Sequence, residues 1–304
     1  MKRISVKQTM QTNDVDASPK ESLGKYQFQL AVNETVWNVF EKGSGKPIVF
    51  LHNGGGTLWN WAYQLQHFSE NYRVIALDLP GFGRSYRSSE PLILDAYVQG
   101  LAELLKVLEC TKPILVGNCI GSSIALKYAL HKPEEVTALA LFNVCGGIPM
   151  LNPHLQYWAA LRPKTVLGKS LHQSMIDALS HPDLQSLNTH LIYANHTPNL
   201  HPTLDQFIKE QRRDPQLRAS LYWLAMGLHS FNIFSKPLQK PAHFPPVMLG
   251  WGAQNRTLDA KWAKVIADWL TPDQFWLIEN TGHMPMYEQP NLVNEKLEVF
   301  FKQI

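Results

Sequence analysis

The sequence predicts an α/β fold: a mostly parallel sheet with helices on both faces, interrupted by an inserted helical segment. Three observations predict it. Short, continuously apolar runs recur over residues 26–147 and again near the C-terminus. Helix-period segments alternate with them, the pattern of strands joined by right-handed crossovers. Between the two stretches lies a segment rich in His, Pro, Asn, Leu and Trp, in which the strand rhythm disappears.

In chain order, residues 26–32 and 35–41 read as a strand pair turning at Asn33 and Glu34. Residues 47–52 form a continuous apolar run, as expected of a strand buried on both faces. Residues 72–78 and 113–118 repeat that texture, each ending in a polar residue and then a glycine-containing turn. Between them Leu94, Val98, Leu101, Leu104, Leu105 and Leu108 recur at helical spacing, which predicts a helix over 92–108. Another strand is expected over 136–142. Strands resume at 246–251 and 275–279, each followed by a helix, over 258–270 and 291–301. The expected division is a flexible tail over 1–24, a core built from 25–147 and 242–304, and a helical cap over 148–241.

Composition narrows the function. At 304 residues, folding buries about 75% of the unfolded chain's surface, so no disulfide or metal is needed to hold the core. Charged residues make up 17% and aromatics 11%, which excludes a coiled coil and a disordered chain. The formal charge of +3 is too small to indicate a nucleic-acid partner, and no Lys/Arg cluster exceeds two residues, as at Arg212-Arg213. Three cysteines without C-x-x-C spacing argue against a disulfide framework or a zinc ribbon, and point to a reduced, cytoplasmic protein. No apolar run approaches the ~20 residues of a membrane span, and the first 24 residues lack a signal peptide's apolar stretch. The histidines at 131, 154, 172, 181, 229 and 243 show no metal-ligand spacing, so no metal or cofactor is expected.

The chemistry concentrates at Gly117-Asn118-Cys119-Ile120-Gly121, between an expected strand and a helix through residues 124–130. A nucleophile on a tight strand-to-helix turn sits in a strained backbone conformation, and side chains two residues either way would clash. The helix N-terminus beneath it supplies free N–H groups and positive potential, which favour a thiolate. Three further segments sit at strand ends: Leu51-His52-Asn53-Gly54-Gly55-Gly56, Asp78-Leu79-Pro80-Gly81-Phe82-Gly83-Arg84-Ser85, and Gly282-His283-Met284-Pro285 followed by Glu288-Gln289-Pro290.

With these four segments the sequence resembles the α/β-hydrolase superfamily, in its branch with a helical cap, over residues 25–147 and 244–304. The resemblance implies that Cys119 stands at the nucleophile's position, where serine is usual, and that His283 stands at the general base's. The acid's usual place, after the strand over 246–251, holds Asn255. Its alternative place, after the strand over 136–142, holds Asn143. Asp259 is the rival acid, although helix capping accounts for it. The oxyanion donors implied are the backbone N–H groups of Ile120 and Gly54, with Asn53 as the alternative to Gly54. His52 and Asp78 read as scaffold residues, the remaining carboxylates as surface residues on helices, and Cys110 and Cys145 as bystanders, although Cys145 lies near a strand end that can approach the site. Trp59, Trp61, Trp158, Trp223 and Trp251 read as packing residues that could also line an apolar pocket.

Replacing a triad's acid by an amide costs a serine enzyme about 10⁴ in kcat. A thiol ionises more readily and tolerates the change, as Cys-His-Asn sites demonstrate. A Cys119-His283-Asn255 site is therefore expected, using a histidinium neighbour to draw the thiol toward thiolate. The expected reaction is hydrolysis of an ester or thioester through an acyl-cysteine. The alternatives are acyl transfer from a coenzyme A or acyl-carrier thioester, and an inactive scaffold that binds a small ligand.

Overall fold

A computed structural model describes residues 23–33, 35–85, 90–153, 155–156, 168, 170–171, 174, 192–194, 214–234 and 239–304. The expected tail lies outside the described residues except for Leu23 and Gly24, and so does most of the expected cap, Trp158 included.

Eight strands form one sheet: β1 (Gln27–Val32), β2 (Thr35–Lys42), β3 (Pro47–Leu51), β4 (Arg73–Asp78), β5 (Ile114–Asn118), β6 (Ala138–Phe142), β7 (Val247–Gly252) and β8 (Gln274–Ile278). Their order is β1-β2-β4-β3-β5-β6-β7-β8. β2 runs antiparallel to both β1 and β4, and every other pairing is parallel.

Alternation along each strand assigns residues to opposite faces. Val49, Leu51, Leu115, Leu139, Leu141 and Leu249 enter one apolar cluster, while Ile48, Phe50, Ile114, Val116, Ala140 and Met248 enter the other. The first cluster is covered by α2 (Leu94–Val107), α3 (Ile120–His131) and α5 (Lys261–Leu270), together with leucines of α4 (Pro215–Gly227). The second is covered by α1 (Ala62–Phe68), α6 (Pro285–Glu288) and α7 (Pro290–Phe301). Both faces are thus sealed, which is why the central strands carry unbroken apolar runs.

Two elements depart from the sequence expectation. Helix α1 was not anticipated: its apolar side consists of Ala62, Leu65 and Phe68, less than two turns of signal. The helix expected from residue 258 begins at Lys261, because two side-chain caps convert the preceding residues into a turn. Asn255 Oδ1 accepts the Thr257 and Leu258 N–H groups, and Asp259 Oδ1 accepts that of Lys261.

The carboxyl ends of β3, β5, β6 and β7 lie along one edge, the usual place for a site in such sheets. Helix α4 is fixed over that edge. The Leu92 N–H donates to Trp223 O at 3.1 Å, and the Leu94 N–H to Ser230 Oγ at 2.9 Å. Among the described residues no helix is long and apolar enough to cross a membrane.

Candidate active site

Cys119 occupies the turn between β5 and α3 with φ 55° and ψ −117°, a conformation that L-residues rarely adopt. Two flanking glycines make it feasible. A Cβ on Gly117 would stand 2.4 Å from Ser122 N, and one on Gly121 would stand 2.2 Å from Leu51 O and 2.7 Å from His52 O. The elbow can therefore press against the end of β3 only because both positions lack side chains. The Cys119 N–H closes the turn by donating to Phe142 O at 3.0 Å.

Three asparagines, one ending β5 and the others following β6 and β7, join into one network. Asn118 Nδ2 donates to the His283 carbonyl at 3.1 Å. Asn143 Nδ2 donates to Asn118 Oδ1 at 2.9 Å, and Asn143 Oδ1 accepts the Gly252 N–H at 3.0 Å. Asn255 Nδ2 donates to Asn143 Oδ1, also at 3.0 Å. Asn255 Oδ1 lies 3.2 Å from His283 Nδ1 and accepts the Thr257 and Leu258 N–H groups at 3.0 Å each.

These contacts determine which way each amide points. Two backbone donors require the Asn255 oxygen on the side where His283 Nδ1 stands. An oxygen can only accept, so Nδ1 carries the proton and Nε2 keeps its lone pair. Exchange of an acid for an amide usually fails because the amide turns its NH₂ toward the imidazole and reverses the tautomer. Here the backbone of residues 257 and 258 blocks that turn.

Asp259 takes no part. Its side chain caps α5 and pairs with Lys261 Nζ at 2.9 Å, and the lysine draws its carboxyl below the usual range. His52 is fully buried and structural: Nε2 accepts the Leu79 N–H at 2.9 Å, and Nδ1 lies 2.7 Å from Asn53 O. Asp78 accepts from Leu58 N, Arg84 N and Asn38 Nδ2, and so ties β2 to the segments around Leu58 and Arg84. Trp59, Trp61 and Trp251 are buried in the two apolar clusters.

The electrostatics differ from expectation. Burial lowers the His283 pKa to about 4, so the imidazole is neutral. The hydrogen bond with Cys145, then burial, push the Cys119 thiol well up, while N–H groups of Ile120 and Gly54 pull it down. The expected thiolate–histidinium pair is thus replaced by a neutral thiol and a neutral imidazole. The physical reason is burial without a compensating charge: Asn255 gives His283 a direction but no negative charge to hold an imidazolium. Cys145 is no bystander, since its thiol meets that of Cys119. Among the described residues no hydrogen bond joins Cys119 to His283.

Both N–H groups expected to hold an oxyanion, those of Ile120 and Gly54, point at the Cys119 sulfur. Asn53 braces this loop: its Nδ2 donates to Gly54 O at 3.0 Å, and its carbonyl accepts the Gly56 N–H at 3.0 Å. Above the loop, a Cβ on Gly54 would stand 2.6 Å from Leu224 Cδ2 of α4.

Glu288 is a further correction. It is half-buried instead of a surface carboxylate, and it accepts the N–H groups of Gly282, Met284 and Ala194 at 2.9–3.1 Å. It thereby clamps the loop carrying His283, whose own N–H donates to Ile192 O. A glutamate five residues beyond a histidine in a Gly- and Pro-containing turn was the available signal. For the network, the signal was an asparagine at or just after the end of each of three successive strands. Among the described residues no group of three or more His, Cys, Asp or Glu could hold a metal ion.

Comparison with known proteins agrees with the architecture. A family model described as alpha/beta hydrolase fold matches residues 46–290. Human epoxide hydrolase 4 is 27% identical over 273 residues, covering 85% of this chain and 73% of that protein. The dihydrolipoyllysine-residue acetyltransferase component of the acetoin cleaving system of Pseudomonas putida is 25% identical over 268 residues, covering 87% of this chain and 66% of that one. A 2-hydroxymuconate semialdehyde hydrolase of a Pseudomonas species is 35% identical over 113 residues, 36% of this chain and 40% of its own. Among solved structures, 2-hydroxy-6-oxo-6-phenylhexa-2,4-dienoate hydrolase from Rhodococcus superposes with TM-score 0.73 at 21% identity, over 91% of this chain and 98% of its own. Sheet order, elbow geometry and a family match across most of the length agree: the chain belongs to the α/β-hydrolase family.

Proposed function

We propose that the protein cleaves an ester or thioester through an acyl-Cys119 intermediate. One observation carries this reading: the pinned Asn255 oxygen commits the His283 proton to Nδ1 and so leaves Nε2 free to accept the thiol proton. As the sulfur attacks the substrate carbonyl, its proton passes to Nε2. The imidazolium formed is oriented by Asn255, and the carbonyl oxygen becomes an oxyanion held by the Gly54 and Ile120 N–H groups. Collapse expels an alcohol or thiol, which takes its proton from His283. Water, deprotonated by the same nitrogen, then releases the acid and restores the thiol.

The neutral resting state fits this sequence, because a buried thiol needs a base only at the moment of attack. Substitution Cys119→Ala is expected to lower turnover of activated esters and acyl-coenzyme A thioesters by about 10³-fold or more. In the parent, intact mass should reveal an acyl adduct that the variant lacks. Undiminished turnover in the variant would reject Cys119 as nucleophile. Acyl transfer uses the same first half-reaction, and an acetyltransferase component among the relatives favours testing it. Product analysis with competing alcohols, amines and thiols separates the two outcomes.

A further inference from the structure

The hydrolytic chemistry has no task for Cys145, yet its thiol meets the proposed nucleophile. The two residues follow neighbouring parallel strands, and their backbones are joined as well as their sulfurs. The Cys145 N–H donates to Cys119 O at 3.3 Å. Ser123 Oγ, on α3, lies 2.6 Å from Cys145 O and 3.2 Å from Cys119 O, which holds both residues to one helix turn. A backbone hydrogen bond between the same two residues whose thiols are in hydrogen-bond contact brings the pair within reach of the about 4.4–6.8 Å α-carbon separation that a disulfide needs. Both thiols are free, as is that of Cys110. Cys110 lies before β5 and Cys119 beyond it, so the strand separates them by roughly 16 Å.

We propose that Cys119 and Cys145 are a modification site: a hydroperoxide converts them into a reversible disulfide that switches the active site off. Cys119 is the entry point, being 8% exposed against 1% for Cys145. Its sulfur attacks the peroxide O–O bond, giving a sulfenic acid and releasing water or an alcohol. The Cys145 sulfur then attacks the sulfenic sulfur. The S–S bond forms, and the hydroxyl leaves with the Cys145 proton as a second water. Two thiols have lost two electrons and the peroxide has gained them. The Gly54 and Ile120 N–H groups face the Cys119 sulfur and favour the charge it develops during the first step. The loss of turnover rests on Cys119 being the nucleophile, whereas formation of the bond does not.

Exposing the full-length chain to hydrogen peroxide should lower its intact mass by about 2 Da, with peptide mapping that places the link between residues 119 and 145. Dithiothreitol should reverse the mass change and restore at least about nine-tenths of the esterase rate. Substitution Cys110→Ala should leave the result unchanged. Both Cys145→Ala and Cys145→Ser should instead gain about 32 Da as sulfinic acid, with activity that reductant does not recover. An unchanged mass, oxygen addition in the parent, or a link to Cys110 would overturn the proposal. A 119–145 link with undiminished turnover would preserve the modification site and reject Cys119 as nucleophile.

Discussion

What Asn255 supplies to His283 is direction without charge. Its oxygen is held by the Thr257 and Leu258 N–H groups, and its nitrogen by Asn143 Oδ1, which is itself fixed by Gly252. Restoring an acid here would therefore not repair the site. In Asn255→Asp the second carboxylate oxygen stands where Nδ2 donated, 3.0 Å from an oxygen that cannot turn without releasing the Gly252 N–H. Two facing acceptors destabilise the fold by about 1–3 kcal/mol, measurable by denaturant unfolding. The new charge also favours the imidazolium, so the His283 pKa should climb from about 4 toward its ordinary value, as NMR titration would report. Substitution Asn255→Ala removes the acceptor altogether. The imidazole then loses its tautomer, and kcat should fall on the order of 10²-fold while KM changes little. If Asn255→Asp matched the parent in stability and increased its rate, the fixed-amide account would fail.

The elbow is a junction of three elements, β3, β5 and α3, and its weak point is Gly121. A methyl there meets Leu51 O, Leu51 C and His52 O, all backbone atoms of a buried strand end that cannot rotate aside. Gly121→Ala should therefore cost at least about 1–3 kcal/mol and move α3 away from β3. That movement separates the Ile120 and Gly54 donors, so activity should drop further than stability does. Thermal unfolding and ester turnover, measured together, decide it. The elements around this junction were legible because each central strand is buried on both faces and α2, α5 and α7 each carry an apolar stripe. Helix α1 was not, since seven residues hold too little period to register. Within the site, Cys119, His283 and Asn255 each announced themselves by position relative to a glycine or a strand end. That Cys145 stands near a strand end able to approach the site was legible, but its meeting with Cys119 was not, because that depends on β5 and β6 being neighbours, a fact of sheet order that neither segment encodes. The neutral state of His283 was equally hidden, since it follows from burial.

Across the whole molecule, buried titrating groups limit the stable pH range on both sides. His52 and His283 are buried with pKa values lowered chiefly by desolvation, the latter to about 4. Below the ordinary value of 6.5 the unfolded chain takes up these protons and the folded chain does not, so stability declines as pH falls. For His283 alone the window from 6.5 to about 4 carries about 3 kcal/mol. His52 adds to it, because protonating Nε2 forfeits the Leu79 N–H bond. Glu288 opposes them with a smaller weight: burial raises its pKa despite its three backbone donors, so its contribution diminishes as pH rises through that value. On the alkaline side the sign reverses. Burial raises Cys110 to about 11 and pushes up Tyr97 and Tyr128. The unfolded chain releases those protons first, and stability falls again above about pH 9. The expected profile is a plateau from about pH 6.5 to 9 with a loss on each side. A melting series from pH 4 to 10 tests it, and His52→Gln, which keeps an acceptor for Leu79 without a titrating ring, should flatten the acid limb. A melting temperature that stayed constant between pH 7 and 4.5 would show that these two imidazoles are not held neutral by the fold.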